Sequence, residues 1–140
     1  MITSRLQCVA AFLLAIGIPQ DSRAGDDYRC TIERFYQAQE ETDPAYKALL
    51  STFKGKQFTV DRASGITVGA LKNSVDAKPH VIDQGRKDNS YKVVSAAGST
   101  EILPGSILTA LNVMEFIEGE KKPFNYMIND GVFFGTCEHF

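Results

Sequence analysis

The chain has 140 residues, 44% of them hydrophobic and 23% charged, with a net charge of −2. That mildly acidic, evenly mixed balance offers no basic stripe to follow a phosphate backbone, so nucleic acid is not an expected partner. Two histidines, three cysteines and no tryptophan leave a metal or imidazole site little to draw on.

The first predicted element is a leader. Arg5 gives a basic start, the apolar run CVAAFLLAIGI covers Cys8 to Ile18, and small residues follow at Ser22 and Ala24. This layout predicts a secretory signal peptide over residues 1–24, cut after Ala24. The apolar run is shorter than the roughly 20 residues a bilayer span needs, so no transmembrane segment is expected after cleavage. Arg5, Arg23 and Asp21 leave with the leader, so 15 basic and 17 acidic side chains become 13 and 16, a net charge of −3. Residues 25–140 have the size of one domain. A periplasmic or secreted location follows. In an oxidising compartment the two remaining cysteines, Cys30 and Cys137, are expected to pair. The rival use of Cys137 and His139 as metal ligands with Cys30 or His80 matches no familiar spacing, so neither metal nor cofactor is expected.

YRCTIERFY alternates, with Tyr28, Cys30 and Ile32 on one side and Arg29, Thr31 and Glu33 on the other, which predicts a half-buried strand. Helical spacing of Ile32, Phe35 and Tyr36 is the weaker competitor, and QAQEETD reads as a connection. Asp43 then suits a helix N-cap and Pro44 the first helical position. Tyr46, Leu49, Leu50 and Phe53 recur at helical spacing as a stripe that should face a sheet, and Gly55 follows as a stop.

Beyond Gly55 the pattern is β. QFTVD and ITVGAL flank a RASG turn, KNSVDAKP is a loop, HVID a short strand, QGRKDNS a polar turn and YKVVSA a strand. GSTEILPGS reads as a loop. Ile107 to Ile117 reads as one strand covered on both faces, EGEKKP as a turn, and FNYMI and VFFGTC as a last hairpin around NDG. The expected fold is mainly β with one short helix. About eight short strands form an antiparallel meander, closed into a small barrel or folded as a sandwich. A lipid-spanning barrel is not expected, because its strands need 9–11 residues and several here have four to six.

Two registers compete for the last hairpin. A turn at Asp130-Gly131 sets Tyr126 opposite Gly135 and Phe124 opposite Cys137; a turn of Asn129, Asp130 and Gly131 moves Cys137 to the side of Met127 and Phe133. The first is preferred, because an aromatic ring then covers the gap at Gly135. Cys137 would share a face with Phe124, Tyr126, Ile128 and Phe133.

FKGKQFTVDRASGITVG, followed downstream by EGEKKPF and GVFFGTCE, resembles in motif order small exported proteins of Gram-negative bacteria that carry no assigned function. That resemblance implies an envelope product and no particular activity. The plan of leader, small β-domain and one disulfide is also similar to bacterial lysozyme inhibitors, although their inhibitory loop matches no positions here.

Catalytic candidates are sparse. Ser106 lacks a nucleophile elbow, His80 opens a strand, and His139 falls in what reads as a terminal tail. A small hydrolase would have to work from Asp61 or Asp83 with His80. Asp61 and Arg62 beside Lys54 and Lys56 could form a cationic rim for an anion, while a solvated turn with a local ion pair is the plainer account. Non-catalytic binding is therefore the favoured function class, with an envelope or host protein as partner. The expected contact turns carry Asp61 and Arg62, Arg86 and Lys87, and Lys121 and Lys122.

Overall fold

The computed structural model describes residues 26–37, 43–73, 77–101 and 105–140. The expected leader lies outside these, as do most of QAQEETD, the centre of KNSVDAKP and Ile102 and Leu103. One eight-stranded antiparallel sheet dominates: β1 (Tyr28–Tyr36), β2 (Gln57–Val60), β3 (Thr67–Gly69), β4 (His80–Arg86), β5 (Asn89–Ala97), β6 (Ile107–Val113), β7 (Lys122–Ile128) and β8 (Gly131–His139). Among the described residues there is one helix, α1 (Pro44–Phe53), between β1 and β2.

The strand order is β3-β2-β1-β8-β7-β6-β5-β4. Each strand thus pairs with its neighbour in sequence except β3 with β4, and the terminal strands β1 and β8 pair with each other. The meander is a ring cut at the β3/β4 seam, a curled half-barrel, which decides between barrel and sandwich. Its concave face holds Tyr28, Cys30, Ile32, Phe58, Val60, Tyr91, Val93, Leu111, Val113, Phe124, Tyr126 and Phe133, all buried.

The terminal pair sets Cys30 directly opposite Cys137, and the two form a disulfide across 107 residues of chain. The first strand alternates as expected until a bulge between Ile32 and Arg34, after which Phe35 turns inward in place of Arg34. The three-residue step from Ile32 to Phe35 that imitates a helix is this bulge. Gly135 lies opposite it, and a Cβ there would stand 1.9 Å from the Thr31 carbonyl oxygen, so only glycine lets β1 come this close.

The helix is capped as expected: the Asp43 carboxylate accepts from the Ala45 N–H at 2.7 Å, and Gly55 follows with φ 78°. Its stripe is only partly used. Tyr46 is buried and donates its hydroxyl to the Phe35 carbonyl at 2.5 Å, and Phe53 meets Phe133 at 5.0 Å, but Leu49 stays exposed.

Several boundaries differ from expectation. The sixth strand stops at Val113 and buries one face only, through Thr109, Leu111 and Val113; Ile107, Leu108, Phe116 and Ile117 are exposed. The third strand is three residues long, since Ala70 and Leu71 leave the ladder. In contrast, β4 and β5 run on to a two-residue tip at Lys87-Asp88. The last hairpin takes neither expected register. Its turn is Asn129-Asp130, with Asn129 at φ 51°, so Phe124 faces Gly135, Tyr126 faces Phe133 and Lys122 faces Cys137. The shift is two residues, so the expected buried face survives, and Phe124 rather than Tyr126 covers Gly135.

The β3/β4 seam is bridged by side chains where ladder bonds are missing. The Arg62 guanidinium donates to the carbonyls of Gln84 and Gly85, at 2.6 and 2.9 Å from Nη2. Buried Asn73 accepts from the Thr67 N–H and donates to the Gly65 carbonyl, while its own carbonyl accepts from the Ser95 hydroxyl. Arg62 thereby takes up two carbonyls near the end of β4, and Asn73 ties the β2–β3 turn to β5.

Candidate binding end of the half-barrel

Antiparallel pairing sends the β2–β3 turn, the β4–β5 tip and the β6–β7 loop to the same end of the sheet. The start of β1 and the end of β8 reach that end too, because Tyr28 pairs with both Val60 and His139. All three turns expected to make contacts therefore share one end.

Beneath them lies a polar and aromatic cluster. Tyr28 is fully buried, with its ring 5.2 Å from Tyr91 and 4.7 Å from His139. The Arg62 guanidinium stands over the Tyr28 ring at 5.6 Å, and the Arg62 backbone is held from both sides. Its N–H donates to the Asp27 carboxylate at 3.0 Å, and its carbonyl accepts from the Tyr91 hydroxyl at 3.0 Å. His139 Nε2 lies 2.9 Å from Glu115 Oε1, and its Nδ1 lies 3.3 Å from the Asp26 carbonyl oxygen. Burial first, and then the Glu115 carboxylate, push the Tyr28 phenol far above its ordinary value. Tyr91 is raised as well, by burial, with Arg62 opposing.

These contacts divide the expected site residues into two groups. Asp61 is a turn anchor, accepting from the Ser64 N–H and hydroxyl at 2.7 and 2.8 Å, and those bonds hold its carboxyl below the usual range. Arg62 bridges the seam. Lys122 donates to the carbonyls of Glu115 and Ile117 at 3.1 and 2.6 Å and so shapes the β6–β7 loop. Arg86, Lys87 and Lys121 remain exposed. With them at this end stand exposed Phe116 and Ile117, and Phe140, whose ring lies 4.4 Å beneath the Arg29 guanidinium.

The alternative of a cationic rim joining Lys54 and Lys56 to Arg62 does not form, because the length of β2 separates them. Nor is the hydrolase constellation assembled. Asp83 is bound within its own hairpin by the Gly85 N–H and the Asn89 amide, and His80 starts β4 at the far end from Asp61. Ser106 is exposed just before β6. His139 is not a loose tail but the last residue of β8. Both its ring nitrogens face protein oxygens, so it links the β6–β7 loop to the residues just before β1 and presents no free nitrogen to a substrate. Among the described residues no group of three or more histidine, cysteine, aspartate or glutamate side chains could hold a metal ion. No described helix is long and apolar enough to cross a membrane.

Lys121 also borders a hollow of about 110 Å³ on the outer face of β1 and β8, with Arg29, Glu33, Thr136 and Glu138. This is well below the ~300 Å³ at which small-molecule sites begin. The cluster of Tyr28, Tyr91, Glu115 and His139 carries no sequence motif, but one signal for it existed. Once Cys30 is set against Cys137, antiparallel pairing puts Tyr28, two residues before, against His139, two residues after.

Comparison with known proteins finds no matching family model, no matching curated protein and no matching solved structure.

Proposed function

We propose that this chain is an exported, non-catalytic binding module that grips an envelope or host protein with the hairpin-tip end of its half-barrel. The observation that carries this is the gathering of three turns over one locked cluster. Exposed Phe116, Ile117, Arg86, Lys87 and Lys121 stand on backbone already fixed by Arg62, Lys122 and the Glu115–His139 pair. Contact groups fixed in advance lose little entropy on association. Aromatic and cationic residues are also the types that dominate interface energies. Export is supported by the leader pattern and by the Cys30–Cys137 disulfide, which persists in oxidising compartments.

The test places a photo-crosslinking residue at Lys87, at Lys121 or, as control, at Lys47 on α1. The first two should capture one discrete envelope or host protein, and the combined Arg86→Ala, Lys87→Ala, Phe116→Ala variant should weaken that binding at least tenfold. Lysozyme is one candidate partner, checked by adding the protein to a cell-wall lysis assay. Turnover of a substrate by the protein alone, abolished by Asp83→Ala or His80→Ala without unfolding, would overturn the reading in favour of a hydrolase.

A further inference from the structure

Away from the hairpin tips, a hollow of about 340 Å³ lies between α1 and β1. Its floor is apolar. Phe35 and Tyr46 are buried there, Leu50 is half-buried, and Tyr36 adds an exposed ring at the side. The Tyr46 hydroxyl is turned to the Phe35 carbonyl, so the floor offers rings and methyl groups to whatever enters.

The described rim carries more positive than negative charge. Among the described residues that line the hollow, Arg34, Lys47 and Lys54, all exposed, stand against one carboxylate, that of Glu33. That carboxylate already accepts from the Thr136 hydroxyl at 3.1 Å. The Arg34 guanidinium rests over the Phe134 ring at 5.5 Å. Lys47 stands on α1 and Lys54 is the residue that caps its C-terminal end. An apolar floor under a cationic rim complements a molecule with an apolar body and one negative end.

We propose that this hollow binds a medium-chain alkyl carboxylate, its tail on Phe35, Tyr46 and Leu50 and its carboxylate among Lys47, Lys54 and Arg34. The size sets the chain length. Ligand sites run from about 300 to 1,000 Å³, and this one sits at the small end. A docked protein segment is a poor fit, because stable interfaces bury roughly 800 Å² on each partner. This site is separate from the hairpin-tip end and stands or falls without it.

The test titrates octanoate into the purified chain, residues 25–140, at neutral pH and low ionic strength, followed by two-dimensional NMR. Octan-1-ol and octylammonium serve as the neutral and cationic comparisons. Saturable shifts are expected at Phe35, Tyr46 and Leu50. Octan-1-ol and the Lys47→Glu, Lys54→Glu variant with octanoate should each bind about tenfold more weakly, and octylammonium more weakly still. Both lysines are exposed, so the variant should keep the fold, which its amide spectrum reports directly. Equal affinity for octanoate and octan-1-ol, an unchanged variant, or shifts confined to the hairpin tips would each overturn the proposal.

Discussion

Tyr28 sits where ionisation is most costly, its ring against Tyr91 and His139 and its hydroxyl beside the Glu115 carboxylate. Tyr126, buried at the other side of the concave face, is raised too, by burial that outweighs its bonds to Thr67 and Thr109. A phenol raised in the folded state favours folding fully below its ordinary value of 10.0, where both states are neutral. As pH climbs past that value the unfolded chain ionises and the folded one does not, so stability falls. The protein should therefore lose stability steadily above about pH 10. Absorbance at 295 nm should register Tyr28, Tyr91 and Tyr126 only as the sheet unfolds. Reversible ionisation of all five tyrosines with native circular dichroism intact would contradict this. At this scale little of the site was legible. The cysteine pairing sets Tyr28 against His139, but Tyr91 looks like an ordinary strand residue and Glu115 lies within a run that reads as strand, so only the fold brings these two to His139.

The helix was readable as an element because its signals are local: Asp43 as cap, Pro44 as first residue and Gly55 as stop all act within a few residues. Strand faces were readable too, since alternation has a period of two. Register was not. A slip of two residues keeps every side chain on its face, so pattern alone could not separate Tyr126 opposite Gly135 from Phe124 opposite Gly135. What fixes it is the tight turn at Asn129-Asp130 together with the close approach of β1 at Gly135. The same geometry yields a prediction. In Gly135→Ala the added methyl would meet both the Thr31 carbonyl and the Phe124 ring, and it cannot be relieved by a flexible side chain. It should cost about 3 kcal/mol or more by overpacking, read as a lowered urea midpoint. Gly98→Ala, whose added methyl meets nothing within 4 Å, is the control and should stay within about 0.5 kcal/mol. A cost for Gly135→Ala no larger than the control's would mean that β1 and β8 are not held this closely.

Taken as a ring cut at β3 and β4, the molecule is two arcs, β1 to β3 and β4 to β8, and the long connection between them crosses the cut. Among the described residues one ladder joins the arcs, β1 on β8, supplemented across the seam by Arg62 and Asn73. The disulfide lies inside that one ladder, with Cys30 and Cys137 both almost completely buried. It therefore ties together the elements that are farthest apart in sequence and most costly to bring into contact. The compartment argument foretold the bond, but not that it would sit at the junction of two arcs, which depends on the pairing of the termini. Closing a loop of 107 residues corresponds to about 4–5 kcal/mol in the chain-entropy picture. Replacing both cysteines with serine should lower the unfolding free energy by about 2–5 kcal/mol, and native hydrogen exchange should show β1 and β8 loosening ahead of β5 and β6. In the oxidised native protein a maleimide should label neither residue. Labelling of both, or a double variant as stable as the parent, would show that the arcs hold together without the bond.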